Sequence, residues 1–250
     1  MIELGHRTSS GLAMLLVFGL TAFAFRSFKS GHPVRQAATV SSVMMIVEAL
    51  LGAGLVLFEL VETDRSVARA VAMPLHLVST SLLTGALALT YWWSTPRAPS
   101  APVGDPRTVR MVWLGIAGVL AVSATGAITA LGDTVIPVAA APISERLAEV
   151  QASSSHFLER LRIVHPVLSV LVAAHLFRLG GAALERLSSR AAGTFARSLI
   201  ALTAVQVLAG GVNVLLSAPG WMQVVHLLLA TVLWIVLVLL GAEASRPRTA

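Results

Sequence analysis

Four histidines recur at matching places in an otherwise apolar chain. His6, His76, His165 and His226 each sit near the start of an apolar run long enough to cross a bilayer. An imidazole at the mouth of a membrane helix is a costly placement, and its repetition asks for a use. Two neutral imidazoles on facing helices supply both axial positions of a flat, iron-centred macrocycle. The spacing therefore predicts two ligand pairs, His6 with His76 and His165 with His226. Taken singly, each also reads as an interface histidine bonded to a carbonyl or to water; the fourfold pattern favours ligation. His32 falls in an expected inner loop, His156 in an outer loop, and His175 beside Arg178 near an inner helix end, so these three read as surface or structural.

The elements that must position the four histidines repeat with them. From His6 to Glu48 is 42 residues and from His165 to Gln206 is 41. Val47-Glu48-Ala49-Leu50-Leu51-Gly52 resembles Val205-Gln206-Val207-Leu208-Ala209-Gly210. The second histidine then follows 28 residues after Glu48 but 20 after Gln206, the difference falling in an outer loop. Each half thus reads as a histidine helix, a small-residue helix and a second histidine helix. An additional helix, Met111–Leu131, precedes the second half and has no partner before the first. Because a flat cofactor is naturally housed among four helices, the first half is expected to be one helix short.

Acidic residues distinguish the halves. Glu3 lies three residues before His6 and shares its helical face, whereas the corresponding place before His165 is Arg162. A carboxylate beside a bound cofactor acts as a base or stabilises developing positive charge; an arginine pairs with cofactor carboxylates. Arg7, next to His6, joins Arg162 as a candidate cofactor contact. Glu3 is equally explained as an acid placed favourably at a helix N-terminus. Glu48, ionisable and near mid-membrane, is either a proton-handling group or a polar packing residue like its neutral counterpart Gln206.

The chain of 250 residues is 56% hydrophobic and only 12% charged, with mean hydropathy +0.83. Soluble domains carry about a quarter charged residues, so the composition points to a lipid bilayer as solvent. Seven apolar windows are long enough to span it: Thr8–Phe25, Ala37–Leu60, Val71–Trp93, Met111–Leu131, Phe157–Phe177, Phe195–Leu216 and Trp221–Leu240. The expected fold is an all-α integral membrane protein with seven transmembrane helices in two pseudo-symmetric helical bundles. Residues 1–93 form a three-helix half-bundle, 94–110 a cytoplasmic linker rich in Pro, Ala and Ser, and 111–250 a four-helix bundle. The outer segment reaching Ser155 has the length of an amphipathic lid. Cysteine is absent, which excludes disulfides, thiolate metal sites and cysteine nucleophiles. The first apolar run follows Glu3, His6 and Arg7 without a small-residue cleavage site, and reads as a span rather than a signal peptide.

A sequence pI near 11.3 invites a nucleic-acid reading, but the charges are sorted by loop. Alternate loops hold 12 of the 18 basic residues, among them Arg26, Lys29, Arg35, Arg107, Arg186 and Arg190, against three acids. The other side has six basic residues offset by eight acids. The positive-inside rule places the first set in the cytoplasm, the N-terminus outside and the C-terminus inside a cell (inner or plasma) membrane. The basic excess orients the chain against anionic lipid, and nucleic acid is not an expected partner.

Together these residues resemble the heme A synthase family. Glu3-Leu4-Gly5-His6-Arg7 is similar to that family's Glu-x-x-His-Arg motif. His76-Leu77-Val78-Ser79-Thr80, Leu131-Gly132-Asp133-Thr134, Ile163-Val164-His165 and Val225-His226-Leu227-Leu228 fall where the family has its counterparts, over nearly the whole chain. The resemblance implies two pseudo-symmetric four-helix bundles and oxidation of a methyl group of heme O to the formyl group of heme A by successive hydroxylations. It implies that Glu3, His6 and His76 belong to the substrate half, residues 1–93, with Glu3 catalytic. It further implies that His165 and His226 ligate a heme B cofactor in the second half. A heme O synthase, an electron acceptor and a second copy of the chain are the expected partners. The family's first helix and following outer loop have no counterpart in this chain. The other expectation to weigh is a bis-histidine heme protein that carries electrons without catalysis; Glu3 beside His6, with no second-half equivalent, favours the enzyme.

The charge distribution makes the orientation testable. A reporter fused after Ala250 should lie in the cytoplasm, and one inserted between Asp133 and Ser155 should lie outside. The reverse outcome overturns the depth assigned to all four histidines.

Overall fold

The computed structural model describes residues 2–61, 64–95, 105–135, 158 and 162–245, with side chains described from Leu4 onward. These residues form α1 (Ile2–Ser27), α2 (Pro33–Leu57), α3 (Val67–Ser94), α4 (Pro106–Val135), α5 (Val164–Arg186), α6 (Arg190–Leu215) and α7 (Gly220–Ala244). All seven are long and apolar enough to cross a membrane. The chain is therefore an all-α, multi-pass membrane protein, as its composition predicts. The lid expected around residues 136–155 and His156 lie outside the described residues.

Local chemistry fixes most helix starts. Pro33 opens α2 behind His32, whose Nδ1 accepts from the Val34 amide at 3.2 Å. Ser66 and Ser189 cap α3 and α6 by accepting from the amides of Arg69 and Ala192. Asp105 Oδ2 accepts from both the amide and the hydroxyl of Thr108, at 2.9 and 2.7 Å. That bonding starts α4 five residues ahead of the apolar run beginning at Met111. At the same end of the bundle, α5 runs to Arg186, nine residues past the apolar run that ends at Phe177, and Arg186 lies 3.7 Å from Asp105. Membrane helices thus outrun their apolar windows where capping and long basic side chains tolerate the interface.

The repeat is visible in hydrogen bonds as well as residue types. At the end of α2 the Leu60 amide donates to the Leu55 carbonyl at 2.9 Å and the Glu59 amide to Val56 at 3.1 Å. At the end of α6 the Ala218 amide donates to Asn213 at 2.8 Å and the Ser217 amide to Val214 at 3.1 Å. Both are Schellman caps with a left-handed residue after the helix, Glu59 at φ 56° and Ser217 at φ 60°. Neither is glycine, so each turn carries strain of about 1 kcal/mol that the cap must offset.

Contacts between helices set their directions. Gly126 lies against His165, Gly118 against Val172 and Gly115 against Leu176, so α4 and α5 run antiparallel. Gly115 also faces Leu237, and Gly241 faces Val112, so α7 is antiparallel to α4 and parallel to α5. Ala70 of α3 packs with Leu131 and Val135 at the far end of α4. The odd-numbered helices therefore run in one direction, with all four candidate histidines toward the same end.

The largest packed cluster lies among α4 to α7 and includes Val112, Leu176, Leu179, Leu199, Leu237 and Leu240. Val17, Met45 and Leu83 join α1, α2 and α3 in a smaller one, helped by the Thr21 hydroxyl donating to the Ala38 carbonyl at 2.9 Å. Trp234 fastens the two halves: it is 4% exposed, and its indole N–H donates to the Ser81 carbonyl at 2.6 Å. Large apolar side chains such as Leu15, Phe23 and Leu208 point outward. Facing lipid, they gain nothing by association, so close packing at small residues holds the helices together.

Gly180 is the sharpest example of that packing. A Cβ there would sit 2.5 Å from Ile200 Cγ1 and 3.3 Å from the Ala196 carbonyl, whereas one on Gly181 would meet nothing within 4 Å. Gly180→Val should destabilise the α5–α6 contact by about 1–3 kcal/mol, read as a lower thermal midpoint in detergent. Gly181→Ala should leave the midpoint unchanged or higher; equal loss in both variants would sink the account.

Candidate functional site

The site is built from the histidines at one end of the odd helices and what holds each ring. His165, the second residue of α5, is partly buried beneath α4. Its Nδ1 lies 3.1 Å from the Val122 carbonyl and 3.3 Å from the Thr125 hydroxyl. The carbonyl can only accept, so Nδ1 carries the proton and Nε2 is left with its lone pair. Gly126, one turn on from Val122, makes the approach feasible: a Cβ there would stand 3.0 Å from His165 Cε1.

His226 of α7 is held by α6. Gln206 Nε2 lies 3.2 Å from His226 Nε2 and 3.2 Å from the His226 carbonyl. Whichever way the amide is turned, one ring nitrogen faces Gln206. The other, Nδ1, is buried with no hydrogen-bond partner among the described residues. Gly210, four residues after Gln206 on the same face, again makes room; its Cβ would lie 3.2 Å from His226 Cε1. His165 and His226 each stand 11 residues before Leu176 and Leu237, the two leucines that meet at Gly115. The two imidazoles are thus at equal height on parallel helices.

The first half repeats half of this arrangement. His76 of α3 places Nδ1 3.2 Å from Glu48 Oε2 of α2, a contact from the position equivalent to Gln206 but to the other ring nitrogen and through an oxygen. Thr80 lies with its hydroxyl 2.9 Å from Oε2, and Ser79 donates to Oε1 of the same carboxylate. Both hydroxyls also reach the His76 carbonyl. Gly52, four residues after Glu48, faces His76 Cε1 at 4.0 Å. His6 is different: it is exposed at the start of α1, where its carbonyl accepts from the Ser9 hydroxyl at 3.0 Å. Arg7 is exposed beside it, and the side chain of Glu3 lies outside the described residues.

Arg162 pairs with Asp133 at 2.9 Å, both largely buried at the end of α4 that carries the site. This contact ties the Leu131-Gly132-Asp133-Thr134 motif to the residue just before Ile163-Val164-His165. The remaining described histidines have structural work. His32 caps α2 and stacks on Phe28 at 4.7 Å, and His175 Nε2 reaches the Met111 carbonyl at 2.8 Å.

Between the halves, Thr80, Ser81, Thr84, Ser123 and Thr231 line a small cavity of about 90 Å³ closed on one side by Trp234.

Such an arrangement can hold a metal macrocycle. A metal-binding histidine commonly engages its second nitrogen with a carboxylate or carbonyl, which fixes tautomer and ring orientation. His165 Nδ1 is so engaged by the Val122 carbonyl, and His76 Nδ1 faces the Glu48 carboxylate, whereas the ring of His226 faces an amide nitrogen. The Nδ1 of His226, buried without a hydrogen-bond partner among the described residues, costs about 1–3 kcal/mol while unpartnered. As placed, the Gln206 amide nitrogen occupies the lone pair of Nε2, so a lone pair at Nδ1 for a metal requires the amide to turn over. The donor set, neutral imidazoles in an apolar bundle, suits iron in a porphyrin.

Comparison with known proteins gives this geometry a family. Two proteins named protoheme IX farnesyltransferase, from two strains of Thermus thermophilus, are each 39% identical to the chain over 244 residues, 98% of it. That match occupies 40% of the length of each of those relatives. The family model described as cytochrome oxidase assembly protein, COX15-CtaA, matches residues 1–238. The chain, with its paired and anchored histidines, belongs to the COX15-CtaA family.

Proposed function

We propose that the chain is a heme A synthase-like membrane oxidoreductase. In this reading His165 and His226 hold a heme B cofactor, and the half containing His6 and His76 receives heme O. The observation that carries the reading is the shared state of three of these four histidines, each with one ring nitrogen engaged by a neighbouring helix. Heme iron, when bound, supplies the redox chemistry. The chain's own residues orient and exclude: Val122 and Gln206 set the rings of His165 and His226, and the apolar faces of α4 to α7 keep water out. Arg162, paired with Asp133, and Arg7 are the cations this reading assigns to the heme carboxylates.

Oxidising a methyl group to a formyl group builds positive charge at carbon and releases protons. Glu3, one helical turn before His6, is the carboxylate assigned to that task. An electron acceptor in the membrane and a heme O synthase are the partners this reaction requires. A second reading comes from the relatives' name, since farnesyl transfer to protoheme IX yields a farnesylated heme. That name belongs to proteins of which this chain matches 40%, and the same assay tests it.

Pigments extracted after co-expression with a heme O synthase should contain heme A. Heme O formed by the chain alone, from protoheme IX and farnesyl diphosphate, would instead carry the relatives' activity over to it. Glu3→Gln keeps size and hydrogen bonding but removes the charge. It should insert normally, keep its heme B, and lower heme A yield at least about a hundredfold, the scale of a positioned acid–base group. Undiminished heme A in that variant overturns the role of Glu3.

Ligation is tested separately by absorption spectra. His165→Ala or His226→Ala removes a donor that alanine cannot replace, so the low-spin heme B signal should vanish or turn high-spin, while His6→Ala retains it. A normal low-spin spectrum in His165→Ala overturns the ligand assignment.

A further inference from the structure

The residue that engages the second histidine of each half is the same in place and different in charge. Glu48 and Gln206 stand at equivalent positions: each precedes its glycine by four residues and lies 3.2 Å from its histidine ring. The halves differ in how that side chain is itself held. The hydroxyls of Ser79 and Thr80 lie against the two carboxylate oxygens of Glu48. Gln206 instead uses its amide nitrogen on the His226 carbonyl. With both oxygens approached by hydroxyl donors, Glu48 meets His76 only as an acceptor, through the 3.2 Å approach of Oε2 to Nδ1, a contact at ion-pair distance that is not aligned as a hydrogen bond in this arrangement. His76 then carries its proton on Nδ1 and presents Nε2 as the free donor atom.

We propose that Glu48 is a positioning residue for His76, fixing its tautomer and strengthening it as an iron donor, and that the Glu48/Gln206 difference sets unequal reduction potentials in the two halves. This rests on the heme reading above. A carboxylate bonded to a ligating imidazole raises the basicity of the ring and favours the more positive, ferric state of the metal. An amide in the same place orients the ring without adding charge. In the low dielectric of the bundle the difference is poorly screened. The half that holds His76 is thus tuned to the lower potential and the half that holds His226 to the higher one. Electrons released in the first half then have a downhill path to the second.

Potentiometry of the heme-loaded protein, followed in the visible bands, tests the proposal through Glu48→Gln and Gln206→Glu. Glu48→Gln should move one wave to more positive potential by at least about 59 mV, a tenfold change in the ferric-to-ferrous ratio for one electron. Gln206→Glu should move the other wave in the opposite direction. Unmoved waves, or both variants acting on one wave, overturn the proposal while leaving heme binding intact. Should Glu48→Gln fail to insert, Gln206→Glu still decides the tuning.

Nitrogen-15 spectra of the heme-free protein test the positioning. His76 should hold its proton on Nδ1 in the wild type and in Glu48→Gln, and lose that preference in Glu48→Ala. A proton on Nε2 in the wild type, or no change in Glu48→Ala, overturns it. A wild-type chain that takes up no heme overturns the heme reading and the proposed tuning together.

Discussion

An imidazole inside a membrane bundle has two ring nitrogens and no water to satisfy them. One must find a protein partner, and the choice of partner decides which nitrogen remains to meet anything else. Much of this structure follows from that constraint. The Val122 carbonyl, the Gln206 amide and the Glu48 carboxylate are each supplied by the helix next to the histidine they serve. At Gly126 and Gly210 a glycine on that helix leaves the ring room, since a Cβ would stand 3.0 or 3.2 Å from Cε1, whereas at Gly52 a Cβ would be in ordinary contact at 4.0 Å. A glycine inside a helix costs about 1 kcal/mol relative to alanine, so these positions trade helix stability for access to a backbone or side-chain acceptor. The packing of α2 on α3, α4 on α5 and α6 on α7 therefore positions chemical groups as well as covering surface.

Much of this was legible in the residues. Seven apolar runs gave the seven helices, because a membrane span needs length and composition more than pattern. The pairing of Glu48 with Gln206 in the repeat was legible too, as was the structural character of His32 and His175. The contact of Glu48 with His76 was not. Residues 28 apart on different helices meet only if both helices have the right rotation, and apolar faces turned to lipid leave little periodicity from which to read it. The signal that was present is the spacing Glu48-x-x-x-Gly52 and Gln206-x-x-x-Gly210, a polar residue one turn ahead of an interior glycine. The Val122 carbonyl leaves no such trace, since every residue has one; only Gly126, an interior glycine facing a histidine helix, hints at it. Helix ends were misread by up to nine residues because apolar windows stop where lipid stops, whereas capping groups such as Asp105 and Ser189 act beyond it.

The asymmetry between halves is as informative as the repeat. In the second half α4 closes over His165, and both histidines are partly buried at one height. In the first half His76 is faced by the residue equivalent to the one that faces His226, while His6 stands exposed at the tip of α1. The hydroxyl-lined space beside Trp234 lies between the halves, where α3 meets α4 and α7.

The matched caps at the ends of α2 and α6 bear on how such a chain tolerates change. Each cap stops its helix at an equivalent residue, Glu59 or Ser217, 11 positions after Glu48 and Gln206. From Leu60 to His76 is 16 residues and from Ala218 to His226 is 8, so the whole difference between the two connections from Glu48 or Gln206 to the second histidine falls beyond the caps. Insertions there are absorbed by loop and never rotate the helix that carries the ring's anchor. A chain that arose by duplication could thus lengthen one connection freely while each helix kept its register, and the loops after Leu60 and Ala218 are where grafted segments would disturb the histidine sites least.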